Sequence, residues 1–441
     1  MNLALLLAAI AASTQEPGPV DITLSGGIEM TWASRDRVIN EAAAWTPGGL
    51  PSGSPLRSHD TFILPAIAVR FDIDSSPVRA VFEVGNSILH ADSSADPRFQ
   101  EDRLGESQAL NFRLRQGWLE FFDVLRVGKQ DFTWDPTGLG NPIFLAPSGS
   151  ESPWGELPDS TVPPFPASGT NTVPQTRRDR INPVGATARF EDVTLFALLM
   201  SEGGPPSGDE GLYGAAVTKT LEFLRASAVV TLMTGDGRGL EVWTGGAAVA
   251  LDLSPLTIAV EAYRQWGSAG VDLRDSGSAL RAVARYSDGL WAQAAFLRVS
   301  GDRRGDDRRE GRFLSYEDND ATLIVEGNEF GLDIDTNYWT AQLSAGMEMT
   351  VLEKKVRPRV TAAHFRFLEA VPLPPDPPPG VGGRSRALGT EIDASIDLEW
   401  SAHLAFTLAA AALRRATALE GFTLGKDDRT LVFTAGFRLS F

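Results

Sequence analysis

Apolar and polar residues alternate along the last twelve positions of the chain. Residues 430–441 read TLVFTAGFRLSF: every odd-numbered position is apolar, and the even-numbered ones are polar or glycine except for Val432. Alternation with a period of two predicts a β-strand with one apolar face. In a soluble sandwich, such a face at an edge would invite aggregation. The pattern therefore favours a strand whose apolar face contacts lipid.

The same alternation recurs upstream, in segments of roughly nine to fourteen residues separated by turn-forming residues. Together these segments predict an all-β chain that folds as one transmembrane antiparallel up-and-down β-barrel of about 18 strands, with 16 as the alternative count. Residues 322–336 are the main uncertainty in the count. The predicted strands are 20–32, 61–74, 77–87, 109–121, 123–133, 182–191, 193–201, 211–220, 223–234, 240–253, 255–267, 277–287, 289–300, 339–352, 356–368, 388–399, 402–414 and 430–441.

Short and long connections alternate between these strands. Short periplasmic turns and long outer loops produce this alternation in bacterial barrels, and an even strand count places both ends of the barrel on the periplasmic side. The barrel is predicted to cover residues 18–441. In many porins, the loop at the position of 134–181 folds inward, where Trp134, Trp154 and Phe165 could anchor it. The longest predicted outer loops are 33–60, 88–108, 134–181, 301–338 and 369–387.

The N-terminus reads MNLALLLAAIAAS, a short apolar run followed by a small-x-small pattern. The run is shorter than the ~20 residues that a membrane-spanning helix needs. It is typical of a secretory signal peptide, which we place at residues 1–13. The alternative is a buried N-terminal helix.

Composition and charge exclude several classes of function. Lys and Arg number 40 against 57 Asp and Glu, a formal charge of −17, which disfavours a nucleic-acid partner. No cysteine is present, and the four histidines lie far apart without metal-ligand spacing. The sequence contains no G-x-S-x-G, H-E-x-x-H or P-loop motif. We therefore expect no enzyme, no cofactor and no metal site. The alternative is a barrel lipase or protease, which the missing motifs and the scattered histidines do not support.

Charged side chains on the predicted strands indicate which face lines the interior. A charge at the lipid midplane costs about 2–4 kcal/mol, so charged positions are expected to point inward. Successive side chains of a strand point to opposite faces, so in 109–121 we expect Leu114 and Trp118 to face lipid and Gly117 to face the lumen. The candidate lumen residues are Arg113, Arg115, Arg126, Gln130, Arg189, Arg225, Arg281, Arg285, Arg357, Arg359, Glu391 and Asp393.

An arginine-rich lumen predicts a wet pore selective for anionic or hydroxylated solutes, because guanidinium groups suit carboxylates and hydroxyls. A barrel of this size encloses a lumen too wide for side chains alone to fill. Two alternatives remain open at this stage. One is a general or small-solute porin, and the other is a structural or adhesive barrel whose lumen charges pair across strands and fill it.

Two stretches resemble the alginate export family of outer-membrane proteins. The first is FRLRQGW (112–118) with LRVGKQ (125–130), and the second is LGTEID (388–393), followed by Leu398 and then HLAF (403–406). The terminal strand also resembles the targeting signal of outer-membrane proteins. The resemblance implies an 18-stranded barrel that passes an anionic exopolysaccharide such as alginate, with Arg113, Arg115, Arg126, Glu391 and Asp393 along the path. The expected partners are outer-membrane lipid, the barrel assembly machinery, and anionic polysaccharide or small solutes; the expected location is the outer membrane.

Overall fold

The structure is a computed structural model of the 441-residue chain. The residues that it describes are 20–36, 59–87, 90–91, 113–140, 142–145, 183–199, 210–235, 239–270, 273–301, 309–311, 313–315, 321–326, 337–372, 384–415 and 429–441. The predicted signal peptide, residues 1–13, lies outside them and stays a prediction.

Eighteen long strands form the wall of the barrel, as the alternation predicted. They are β1 (Asp21–Asp36), β2 (His59–Ser75), β3 (Val78–Ser87), β4 (Arg113–Phe121), β5 (Leu125–Lys129), β6 (Val184–Phe190), β7 (Val193–Leu199), β8 (Glu210–Thr220), β9 (Leu224–Gly235), β10 (Leu240–Leu253), β11 (Leu256–Gly270), β12 (Ser278–Asp288), β13 (Leu290–Val299), β14 (Tyr338–Met347), β15 (Lys354–Pro372), β16 (Arg384–Glu399), β17 (Leu404–Arg415) and β18 (Arg429–Ser440).

Each strand pairs antiparallel with the strands before and after it, and the ring closes where β1 pairs with β18. At this seam, Gly26 and Phe441 exchange backbone hydrogen bonds of 2.9 and 3.0 Å. The described residues contain no helix that is long and apolar enough to span a membrane. The closed ring leaves the barrel without an edge strand, which is how a sheet satisfies its backbone hydrogen bonds in lipid.

Side chains alternate between the two faces of the wall. On β10, for example, Trp243 and Val249 face outward and are exposed, whereas Val242 and Thr244 face inward and are buried. The outer surface is apolar along most of its height, and the inner surface mixes polar and apolar side chains. An apolar outside with a polar inside is the arrangement of a transmembrane barrel, and the chain is an outer-membrane β-barrel.

The short turns join successive strands at one end of the barrel, where β1 also begins and β18 ends. Several strands extend beyond their predicted bounds at the opposite end. Met349–Val351 continues β14 beyond a break, and three further short strands, His90–Ala91, Leu273–Asp275 and Arg309–Glu310, lie among the long connections. Residues 322–326, the described part of the uncertain segment 322–336, form no strand.

One predicted orientation is wrong. Trp118 points into the lumen and is 3% exposed, whereas Gly117 pairs with the outward-facing Phe82. The cause is a β-bulge in β4, where the register with β3 shifts between Glu83 and Val84. One extra residue in a strand exchanges the faces of all the residues that follow it.

Candidate functional site

The lumen is lined by charged side chains along β2 to β5. Arg70 donates to Asp72 at 2.7 Å, and Arg79 donates to the same carboxylate at 3.1 Å. Arg79 keeps 43% of its side chain exposed, and Arg70 keeps 32%. Inward side chains with this exposure border open space, so this part of the barrel interior is accessible to water.

Arg126, a predicted lumen residue, lies in the same region. Its guanidinium donates to Glu120 at 2.8 and 2.9 Å, and its central carbon lies 4.0 Å from the centroid of the Trp118 ring. The ion pair and the cation–π contact hold the arginine flat against the wall. The bulge in β4 creates this cluster, because it turns Trp118 inward.

Gln130 marks the point where the chain leaves the wall. It is fully buried, donates to the carbonyl of Gly185 at 3.0 Å, and accepts from Thr187 at 2.8 Å. Strand β5 therefore ends at Lys129, four residues before the predicted end at 133. Both hydrogen-bonding groups of the Gln130 side chain bind β6, so this residue fixes the exit of the following segment rather than facing a solute.

That segment, residues 131–140 and 142–145, folds into the lumen and is called the first inward segment here. Trp134 is buried and donates to Thr218 at 3.3 Å. Ile143, Phe144 and Leu145 are buried completely or almost so. The described part of loop 134–181 thus narrows the lumen; Trp154 and Phe165 lie outside the described residues.

Two predicted lumen arginines hold the first inward segment. Arg225 donates to the backbone carbonyls of Asp135 at 2.9 Å and Pro136 at 3.1 Å. Arg281 donates to Gly140 at 3.3 Å and forms a 3.1 Å ion pair with Glu261. These guanidinium groups bind the protein's own carbonyls and carboxylates, so neither is open to a passing anion.

Glu391 and Asp393 hold a second inward segment, residues 321–326. The Glu391 carboxylate accepts the backbone N–H groups of Ile324 at 2.6 Å and Val325 at 2.9 Å. Asp393 accepts the N–H group of Leu323 at 3.2 Å. The carboxylates thus bind a loop backbone and do not line an open path.

The two segments belong to one apolar cluster inside the barrel, together with Phe313 and Leu314. Phe144 packs against Tyr263 and Phe313, with ring centroids 5.1 and 5.6 Å away. Gln265 bonds the backbone of Leu314 through both of its amide atoms, at 2.6 and 2.8 Å. Sequence reasoning missed this cluster. The available signal was the short apolar runs Ile-Phe-Leu (143–145) and Leu-Ile-Val (323–325) within otherwise polar connections.

A third arrangement lies on the inner wall near the short turns of β12 to β15. The central guanidinium carbons of Arg285 and Arg359 each lie 5.7 Å from the Trp291 ring centroid. A Cβ on Gly346 would approach the Trp291 ring to 2.8 Å, so the indole lies over this glycine on the wall. Arg359 is exposed. Two cations therefore flank one aromatic ring beside open space.

The remaining predicted residues are less informative. Arg357 donates to Glu348 at 2.7 Å and Glu399 at 2.6 Å near the short-turn end, with 40% of its side chain exposed. Arg189 has the inward parity of Thr187 and is exposed. Arg115 lies at the bulge beside Gly85 on the inner face. The side chain of Arg113 lies outside the described residues.

Comparison with solved structures agrees with this geometry. The fold is similar to three proteins of Pseudomonas aeruginosa: OccK9 (OpdG), at 12% identity over 96% of this chain and 99% of that one, with a TM-score of 0.53; OprD, an outer membrane protein, at 11% identity over 95% and 94%, with a TM-score of 0.51; and OccK3 (OpdO), at 12% identity over 95% of each chain, with a TM-score of 0.51. No protein-family model matches the sequence, and no curated protein matches it.

These similar structures are OprD/Occ outer-membrane proteins, and they give no support to the predicted resemblance to the alginate export family. The chain shares with them the fold, a closed antiparallel β-barrel of 18 strands, which the alternation and the connections predicted.

Proposed function

We propose that the chain is an outer-membrane porin for small solutes, with a preference for anionic or hydroxylated ones. The observation that carries the proposal is the Arg285–Trp291–Arg359 arrangement, in which two guanidinium groups flank an indole on an accessible part of the inner wall. Guanidinium groups bind carboxylates in a fork geometry, and the half-buried ring offers an apolar surface beside them.

The other lumen arginines support a small solute over a polymer. Arg225 and Arg281 bind the first inward segment, and Glu391 and Asp393 bind the second. These side chains therefore keep two loop segments inside the lumen. An extended exopolysaccharide needs an open path along the whole barrel. A lumen that is narrowed by two inward segments favours the diffusion of compact solutes. The structural similarity to the OprD/Occ channels also supports a small solute.

The mixed charge of the wall moderates the expected selectivity. Arg126 and Arg281 form ion pairs with Glu120 and Glu261, which cancel much of their field. We therefore expect a modest preference for anions that depends mainly on Arg285 and Arg359, and weakens at high salt because exposed charges are screened.

Single-channel current in planar bilayers tests the proposal. The refolded chain is measured in a salt gradient, with Arg285→Gln/Arg359→Gln as the test variant and Arg298→Gln, on the outer face, as the matched control. We expect open steps, an anion-biased reversal potential in the unmodified protein and the control, and a clear loss of that bias in the double variant.

Two other outcomes would overturn parts of the proposal. Block of the unmodified channel by a polyuronate at low concentration would favour a polysaccharide path. Absence of open steps from protein shown to be folded would favour a structural barrel whose lumen is filled by the inward segments.

A further inference from the structure

Arginines also occur on the outer face of the barrel, at the end opposite the short turns. They lie on five of the eight strands β11 to β18: Arg264, Arg298, Arg366, Arg414 and Arg429, called the outer arginine belt here. Each follows or precedes a buried inward residue on its strand; Arg366, for example, stands between Phe365 and Phe367. All five are exposed, and strand alternation directs them away from the lumen.

The height of the belt matches a membrane interface. Arg298 lies eight residues after Leu290, where β13 begins, and Arg414 lies ten residues after Leu404, where β17 begins. A tilted strand crosses the hydrocarbon core in about 9–11 residues. The apolar outward positions between these points therefore cover the hydrocarbon, and the arginines lie at the level of the lipid headgroups on the side of the long loops.

The register places the belt in lateral rows. One row joins Arg298 on β13, Trp339 on β14 and Arg366 on β15. The other joins His364, Thr390, Arg414 and Arg429 on β15 to β18. Neighbouring strands are about 4.8 Å apart, so Arg298 and Arg366 start about 10 Å apart and can reach one group between them.

Aromatic side chains accompany the arginines. The Trp339 ring lies between Phe296 and His364, with centroids 6.2 and 5.7 Å away. Tryptophan is enriched at membrane interfaces, where its ring lies among the headgroups. Arginine binds phosphate through paired N–H groups better than lysine does. A patch of arginines with a tryptophan at headgroup height thus matches a phosphate-bearing lipid in both charge and depth.

We propose that the outer arginine belt binds phosphate-bearing lipids of the outer leaflet. This binding is separate from the pore, because the belt lies on the opposite face of the wall from Arg285 and Arg359. It fixes the depth and orientation of the barrel and surrounds the side of β11 to β18 with anionic lipid.

Native mass spectrometry of the folded full chain in detergent tests the proposal, with phosphatidic acid as the phosphate-monoester probe and phosphatidylcholine as the neutral one. We expect preferential retention of phosphatidic acid. A basic residue near an anionic surface contributes about fivefold in affinity, so Arg298→Gln/Arg366→Gln should weaken retention about 25-fold. The inner-wall double variant Arg285→Gln/Arg359→Gln is the matched control and should retain lipid like the unmodified protein.

Folding of each variant is checked by heat-dependent mobility on gels. If Arg298→Gln/Arg366→Gln fails to fold, Arg414→Gln/Arg429→Gln takes its place with the same expected loss. Equal retention of the two lipids, or equal retention by belt and inner-wall variants, would overturn the proposal. Displacement of phosphatidic acid by inorganic phosphate at a similar concentration would also overturn it, because the belt would then be a site for free phosphate.

Discussion

The carboxylate of Glu391 holds the second inward segment through two hydrogen bonds, and the variant Glu391→Gln tests that role. The side chain is fully buried and accepts the N–H groups of Ile324 and Val325 at 2.6 and 2.9 Å. Glutamine keeps the size of the side chain, but it is neutral and replaces one acceptor oxygen with an NH₂ group. In the variant, one of the two backbone N–H groups therefore faces another donor.

The expected magnitude follows from these two bonds. A buried N–H group that loses its acceptor costs about 1–3 kcal/mol. Because the variant leaves one of the two N–H groups without an acceptor, docking of residues 321–326 should weaken by about 2 kcal/mol. Since 1.4 kcal/mol corresponds to a factor of ten, the undocked population should rise about 30-fold.

Amide hydrogen exchange of the folded barrel in detergent measures this population. A peptide covering 321–326 should exchange about 30-fold faster in the Glu391→Gln variant, because local opening controls exchange there. Asp393→Asn should have a smaller effect, since Asp393 accepts one bond of 3.2 Å. Asp397→Asn is the matched control: this carboxylate lies on the same strand but accepts from Thr407.

Unchanged exchange in the Glu391→Gln variant would refute the reasoning, since it would mean that apolar packing alone keeps the segment in place. Equal acceleration in Asp397→Asn would also refute it, because the effect would then reflect a general loosening of β16. A parallel current recording adds a functional measure: undocking should raise the open-channel noise of the Glu391→Gln variant above that of the control.

Three further predictions concern the lumen. Arg281→Met leaves the buried Glu261 carboxylate without its cation and should lower the free energy of unfolding in urea by about 3–5 kcal/mol; adding Glu261→Gln should restore part of it, and no restoration would contradict the pairing. Phe144→Ala removes the ring that packs the first inward segment against Tyr263 and Phe313, and it should cost about 3–5 kcal/mol while raising single-channel conductance; an unchanged conductance would show that the first inward segment does not limit flow. Gly346→Val should displace the Trp291 ring, cost about 1–3 kcal/mol in urea unfolding and shift Trp291 fluorescence; unaltered emission would contradict the close packing.

The wall of the barrel could be predicted because apolar and polar residues alternate with a period of two along each strand. Outward positions must be apolar to contact lipid, so the alternation marks both the existence and the faces of the strands. The alternation no longer predicts the faces correctly after a β-bulge, which inserts one extra residue. The bulge in β4 reverses Trp118, and nothing in the local sequence marks that extra residue, because its position depends on the pairing with β3.

The interior of the lumen could be predicted only in part. Inward parity led us to expect Arg225, Arg281 and Glu391 on the lumen side, but it does not say which groups they bind. Their partners are backbone groups of connections that are distant in sequence, and backbone groups carry no sequence signal. The same composition of inward charges therefore fits an open arginine-lined path or a set of anchors for inward segments, and only the fold distinguishes them.

The seam between β1 and β18 has a consequence for assembly. Every other pairing in the barrel joins strands that follow one another along the chain, whereas the seam joins Gly27 to Ser440 and their neighbours. Bringing together ends about 400 residues apart carries a loop-closure cost on the order of 5 kcal/mol. Until the seam forms, two unpaired strands present free backbone groups, which are templates for aggregation. We therefore expect closure to be the last and slowest step of folding, and the stage at which an assembly partner is most needed.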